Sequence, residues 1–176
     1  MKMKFKQLYM RKVIFLDIDG VLNTEQHRKL CRKKGIAYSD ENGDTFDPVA
    51  VANLSKIIDE TGADIVISSS WKFWGLLKLW EMWKNRKLPG KVIDVTPDTE
   101  EDEILLNADL SEMERIALRG YEIKEWLSFH GKKVSRYAII DNVDSFLPEQ
   151  QPHFVQVCPI TGITVEDAEK VIKVLK

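Results

Sequence analysis

VIFLDIDGVLN, residues 13–23, is an apolar run that ends in two carboxylates one residue apart, followed at once by a glycine. Val13 to Ile18 has the β-branched, near-continuous apolar character of a strand buried on both faces. Asp17 and Asp19 fall where that strand ends. Buried carboxylates are costly unless something compensates them. The stretch therefore predicts a buried strand whose carboxyl end delivers acid to a functional edge.

The pattern repeats down the chain. Asp47-Pro48 starts a helix, with an acid at the N-cap and proline at the first helical position. Ala50, Leu54, Ile57 and Ile58 recur along it at helical spacing, and Gly62 ends it. Asp64-Ile65-Val66-Ile67 is a second strand, running into Ser68, Ser69 and Ser70. Residues 71–87 read as one helix, and Lys91 to Val95 as a third strand. A helix with Ile123, Trp126, Leu127 and His130 on its apolar face precedes the strand Tyr137 to Ile140, which ends at Asp141. Phe154 to Val157 reads as the last strand. Thr164 with Asp167 three positions on opens a C-terminal helix as a capping box. Residues 22–46 are polar, hold Gly35 and Gly43, and read mainly as loop. Strands alternating with helices predict a three-layer α/β fold with a central parallel sheet. In such sheets ligands bind outside the carboxyl ends of the strands. Asp17, Asp19, Ser68 to Ser70, Asp141 and Asn142 then share one edge.

The 176 residues suit a single domain spanning the chain. With 44% hydrophobic and 31% charged residues the chain is globular in composition. A net charge of -2 disfavours non-specific wrapping of nucleic acid, though not contact with a strand end. Cys31 and Cys158 have no metal-ligand spacing, so a reducing cytoplasm is the simpler reading. MKMKFKQLYM is basic but lacks the apolar segment of a signal peptide, and no stretch reads as a membrane span.

Clustered carboxylates repel one another unless a cation intervenes. A cluster rich in oxygen and free of sulfur and imidazole suits Mg²⁺, which takes one or two carboxylates and completes its shell with water and phosphate. A carboxylate also serves as a nucleophile, forming an aspartyl-phosphate. Gly20 lets the backbone turn closely past a phosphate. Ser68 and Ser69 offer hydroxyls near the next helix N-terminus, where anions are favoured.

These segments resemble the haloacid-dehalogenase (HAD)-like phosphatases. FLDIDGVLN looks like their first motif, DIVISSSW their second and YAIIDN their fourth. The wider pattern is similar to the HAD domains of Swiss-army-knife RNA-repair proteins. The resemblance implies a HAD-like fold with a minimal cap. It implies Asp17 as nucleophile and Mg²⁺ ligand, and Asp19 as the acid that protonates the leaving group and then activates water, with its backbone carbonyl on the metal. The second motif falls on Ser69 if Trp71 is the landmark, or on Ser68 if the first hydroxyl after the strand is. The cation of the third motif is expected at Arg119, with Lys124 behind it. Asp141 is the acidic metal ligand. Asn142 departs from the paired acids commoner in the family, and Asp144 follows it.

On one helical wheel of WKFWGLLKLWEMW, residues 71–83, Phe73, Leu76, Leu77, Trp80 and Trp83 share a face expected in the core. Trp71 and Trp74 fall on the other side, where they are expected either to pack under a loop or to stack on a flat substrate group. Arg28, Lys29, Arg32, Lys33 and Lys34 follow the first motif and form a candidate positive rim. The expected partner is a phosphorylated substrate, with a nucleic-acid end foremost. A small-molecule phosphatase and a non-catalytic binding module on the same fold are the alternatives.

Overall fold

The computed structural model describes residues 10–98 and 118–176. Five parallel strands form the central sheet: β1 (Arg11–Leu16), β4 (Asp64–Ile67), β5 (Val92–Val95), β6 (Val134–Asp141) and β7 (Phe154–Gln156), in the order β5-β4-β1-β6-β7. β1 is central and buried from Val13 onward. Its residues alternate between two apolar layers. Ile14 and Leu16 join the cluster built with Leu54, Ile57, Val171 and Leu175. Those four come from α2 (Pro48–Thr61) and α5 (Val165–Leu175). Val13 and Phe15 face the other way, onto Ile123 and Trp126 of α4 (described from Leu118–His130). A central parallel sheet covered on both faces is the architecture the strand pattern predicts.

Strand order reverses at β1, because the chain builds outward to β4 and β5 before returning to β6. The crevice at such a reversal is where α/β sheets place ligands. Asp17 and Asp141 stand on its two sides, since the Asp17 N–H donates to the carbonyl of Ile140 at 3.0 Å, the residue before Asp141.

Residues 22–46 correct the sequence reading. They hold α1 (Glu25–Lys34), capped by Thr24 and closed by Gly35 in the left-handed conformation, then a hairpin of β2 (Ser39–Asp40) and β3 (Gly43–Asp44). Only Cys31 of α1 is buried, so the helix shows no apolar stripe, and its capping residues were the legible signal. Among the described residues, the hairpin takes the place of a small cap.

The tryptophan-rich stretch is also not one helix. A 3₁₀ segment, Ser70–Trp74, ends at Gly75 (φ 81°), and α3 (Leu76–Asn85) starts afresh. The break resets the helical phase, so a wheel drawn from residue 71 misassigns the faces. Phe73 and Leu77 are 73% and 74% exposed and Trp80 is 43% exposed, while Leu79, Met82 and Trp83 enter the core and Trp71 is buried. His130 likewise lies at the surface, stacked on Trp126 at 4.4 Å.

Lys72, on the 3₁₀ segment, is buried, donates to Glu122 Oε1 of α4 at 2.6 Å and to the Pro97 carbonyl at 3.1 Å, and forms an ion pair with Asp98 Oδ1 at 2.9 Å. Thr96 Oγ1 donates to the other Glu122 oxygen at 3.2 Å. The network ties the end of β4, the end of β5 and α4 together. Removing one partner of a buried pair strands the other charge, at a cost of about 3–5 kcal/mol. Lys72→Met is expected to lose stability on that scale in urea unfolding, and Lys72→Met/Glu122→Leu to recover most of it. Equal stability of Lys72→Met and the parent chain would show the pair to be energetically idle. Of the acidic run 98–103, only Asp98 lies within the described residues.

Candidate active site

The end of β1 presents Asp17, 2% exposed, and then turns outward. Gly20 sits at φ 75°, and a Cβ there would come within 2.6 Å of Asn142 Nδ2 and 2.9 Å of Pro159 Cβ. Both the conformation and the contact require glycine. The turn carries Asp19 back to the surface.

Arg119 reaches this edge from α4. Its Nη1 pairs with Asp17 Oδ2 at 3.1 Å and also donates to Asp141 Oδ2. One guanidinium thus spans both buried carboxylates. Burial pushes the Asp17 carboxyl above its ordinary range, and Arg119 only partly offsets that. Burial, then the charge of Asp17, pushes Asp141 up to about 6. Burial works against the charge of Arg119, but the two aspartates outweigh it and hold the guanidinium firmly protonated. Lys124 is not at the site. It pairs with Glu149 at 3.6 Å on the surface.

Ser68 continues the sheet, donating its N–H to the Leu16 carbonyl at 2.9 Å, and Ser69 is the extended residue that opens the 3₁₀ segment. Both are buried, and their hydroxyls, with Asp17 Oδ1, have no hydrogen-bond partner. The Ser69 hydroxyl lies close enough to the Asp17 carboxylate to favour its charge, without completing a hydrogen bond of normal geometry. Ser69 is therefore the better placed of the two. Three unpaired polar atoms at one buried edge call for a polar ligand.

Asp19 accepts from Asn23 Nδ2 at 2.7 Å, from the indole N–H of Trp71 at 3.0 Å and from Ser70 Oγ at 3.3 Å. It opens onto a cavity of about 310 Å³ lined also by Gly20, Asn23, Arg28, Tyr38, Asp44 and Asn142. The wall formed by the hairpin is fixed by Arg86, which donates to Asp40 Oδ1 at 2.7 Å and to the Asp44 carbonyl at 2.9 Å.

The structure chooses among readings the sequence leaves open. Trp71 is buried with its N–H committed to Asp19, which is the packing alternative and not a stacking surface. Trp74 is 39% exposed but rests on Trp71 at 4.5 Å. Of the basic cluster only Arg28 lines the cavity, its guanidinium 4.8 Å over the Tyr38 ring and paired with Asp44 at 3.0 Å. Arg32, Lys33 and Lys34 occupy the last turn of α1, where they complement the helix dipole. Asp144 turns away from the edge, accepting from Gln151 Nε2 at 2.8 Å.

The family described as the HAD domain in Swiss Army Knife RNA repair proteins matches residues 13–168. The chain belongs to that family. No curated protein matches the chain. Membership in the HAD family accounts for the shared edge, in which acids from β1 and β6 and hydroxyls after β4 converge, and it implies hydrolase chemistry. Among the described residues no helix is long and apolar enough to cross a membrane.

Proposed function

We propose that this HAD domain is a Mg²⁺-dependent phosphoric monoester hydrolase working through an aspartyl-phosphate, with a 3′-phosphorylated nucleic-acid end as its foremost substrate. The observation that carries the reading is Asp17: a buried carboxylate at a strand end, braced by Arg119 on one oxygen and unpartnered on the other.

Asp17 attacks phosphorus, and the bond to the leaving oxygen breaks as Asp19 supplies that oxygen with a proton. Asp19 then takes a proton from water, whose oxygen attacks phosphorus and frees Asp17 and inorganic phosphate. Arg119 holds the nucleophile and the phosphate charge together, and the Ser69 hydroxyl, with Ser68 beside it, donates to phosphate oxygen. Gly20 keeps the backbone clear of the substrate.

Among the described residues no three acidic, histidine or cysteine side chains form a ready metal cluster. Mg²⁺ needs no such cluster. The all-oxygen donors fit it, with Asp17 Oδ1 unpartnered and Asp141 held close to Asp17 against their mutual repulsion. Asp17, Asp141 and the Asp19 backbone carbonyl would hold the ion, which when bound neutralises phosphate charge and orients the ester. Asn142, at the cavity wall, leaves one fewer negative charge than a second acid would.

The nucleic-acid preference rests on the RNA-repair family and on the described residues, among which the cap is a hairpin that leaves room for a large substrate. The cavity of about 310 Å³ also favours a second reading, a nucleotide or sugar-phosphate phosphatase. Phosphate release from a 3′-phosphorylated oligonucleotide, a sugar phosphate and a nitrophenyl phosphate, each with Mg²⁺ and with EDTA, decides between them. Metal-dependent release with the oligonucleotide preferred is expected. Release from the small esters alone selects the second reading, and no release from any ester overturns both and leaves a binding module.

A further inference from the structure

The contacts of Asp19 are unequally divided between its two oxygens. Oδ1 accepts both the Trp71 indole N–H at 3.0 Å and the Asn23 amide at 2.7 Å. The orientation of that amide is set independently, because its own oxygen accepts the Gly20 N–H at 2.9 Å. Both partners of Oδ1 are pure donors and cannot receive a hydrogen. A proton on Oδ1 would have to displace one of them. Among the described residues Oδ2 has the Ser70 hydroxyl as its one hydrogen-bond partner, at 3.3 Å, and a hydroxyl can donate or accept as the carboxyl changes state.

Trp71 is itself rigidly held. Its ring lies 5.6 Å from Phe46 and 4.5 Å from Trp74. Gly43 of the hairpin closes against the pair, and a Cβ there would approach Trp74 Cη2 to 2.6 Å and Trp71 Cη2 to 3.2 Å. Arg86 lies 4.7 Å over the Phe46 ring while binding the Gly43 carbonyl at 3.1 Å. The small cap therefore reaches the acid through one indole.

We infer that Trp71 and Asn23 are positioning residues that dedicate Asp19 Oδ1 to anchoring, so that Oδ2 is the oxygen that gives and takes the catalytic proton. The inference rests on the phosphatase reading for its chemistry, but the contact itself can be tested without turnover.

Trp71→Phe keeps an aromatic ring between Phe46 and Trp74 and removes the N–H together with the five-membered part of the indole, so the contrast between two leaving groups, rather than the loss on one ester, separates the hydrogen bond from the lost packing. Its kcat/KM, which reports leaving-group expulsion, is expected to fall about 10–100-fold on an alkyl phosphate, the scale of one hydrogen bond to a charged group. On a dinitrophenyl phosphate, whose leaving group needs no proton, the loss is expected to be far smaller. Equal losses on both esters, or none on either, overturn the inference and make Trp71 a packing residue. In parallel, the Trp71 indole N–H resonance is expected to shift in Asp19→Asn, because the charge facing that N–H is lost. An indole resonance indifferent to the substitution removes the contact. Hydrolysis of neither ester by the parent protein, with the indole still responsive, would sink the phosphatase reading while the contact stood.

Discussion

Asp17→Asn is expected to abolish phosphate ester hydrolysis and at the same time to stabilise the protein at neutral pH. The amide is a poor nucleophile, so no aspartyl-phosphate forms. The fold loses little: the amide oxygen can keep Arg119, and the NH₂ takes the position of an oxygen that has no partner. The gain follows from linkage. The folded site raises the pKa of Asp17 and raises that of Asp141 to about 6, so the charged forms are disfavoured relative to the unfolded chain even with Arg119 present. That penalty is absent below the unfolded value of 3.8, grows as pH rises past it, and is complete above the folded values. Asp17→Asn should therefore gain on the order of 1 kcal/mol at pH 7, as relief of active-site strain commonly does, and nothing near pH 3. Urea unfolding across that range with parallel assays measures both halves. Near-parental turnover would end the nucleophile assignment, and a stability loss growing with pH would end the electrostatic account.

Asp19→Asn should fold normally and lose about 10²–10⁴-fold in kcat/KM on alkyl esters, the usual scale of general acid–base catalysis. The substitution is tolerated because the amide oxygen can still accept from Asn23 and Trp71, the two shortest of the three contacts to Asp19. What it removes is the transferable proton at the second position. The loss should shrink as the leaving group becomes a better one. A loss of the same size for alkyl and nitrophenyl esters would assign the proton to another group.

Much of this edge is legible in the sequence. Asp17, Asp19, Ser69, Asp141 and Gly20 each follow a buried strand or its turn, so their shared edge is a consequence of parallel topology. Arg119 came from resemblance to the family, and the geometry gives it a physical reason in the two carboxylates it spans. Trp71 shows where such reading stops. One helical phase does not run through Gly75, where the chain leaves the helix, and the indole, for which packing and stacking on substrate are both open in the sequence, points inward to Asp19. α1 leaves no apolar stripe in the sequence because its only buried residue is Cys31.

Local chain chemistry by itself determined the strands, most helix starts and the acids at the sheet edge, because apolar runs, caps and turn residues act over a few neighbours. The tertiary structure alone decided that Arg119 spans both Asp17 and Asp141, that Lys72 is buried against Glu122, and that the hairpin reaches Asp19 through Trp71. Those pairings join residues 22 to 52 positions apart, or more. At that distance the choice of partner depends on how the layers stack and which charges they enclose, and no local pattern in the chain encodes it.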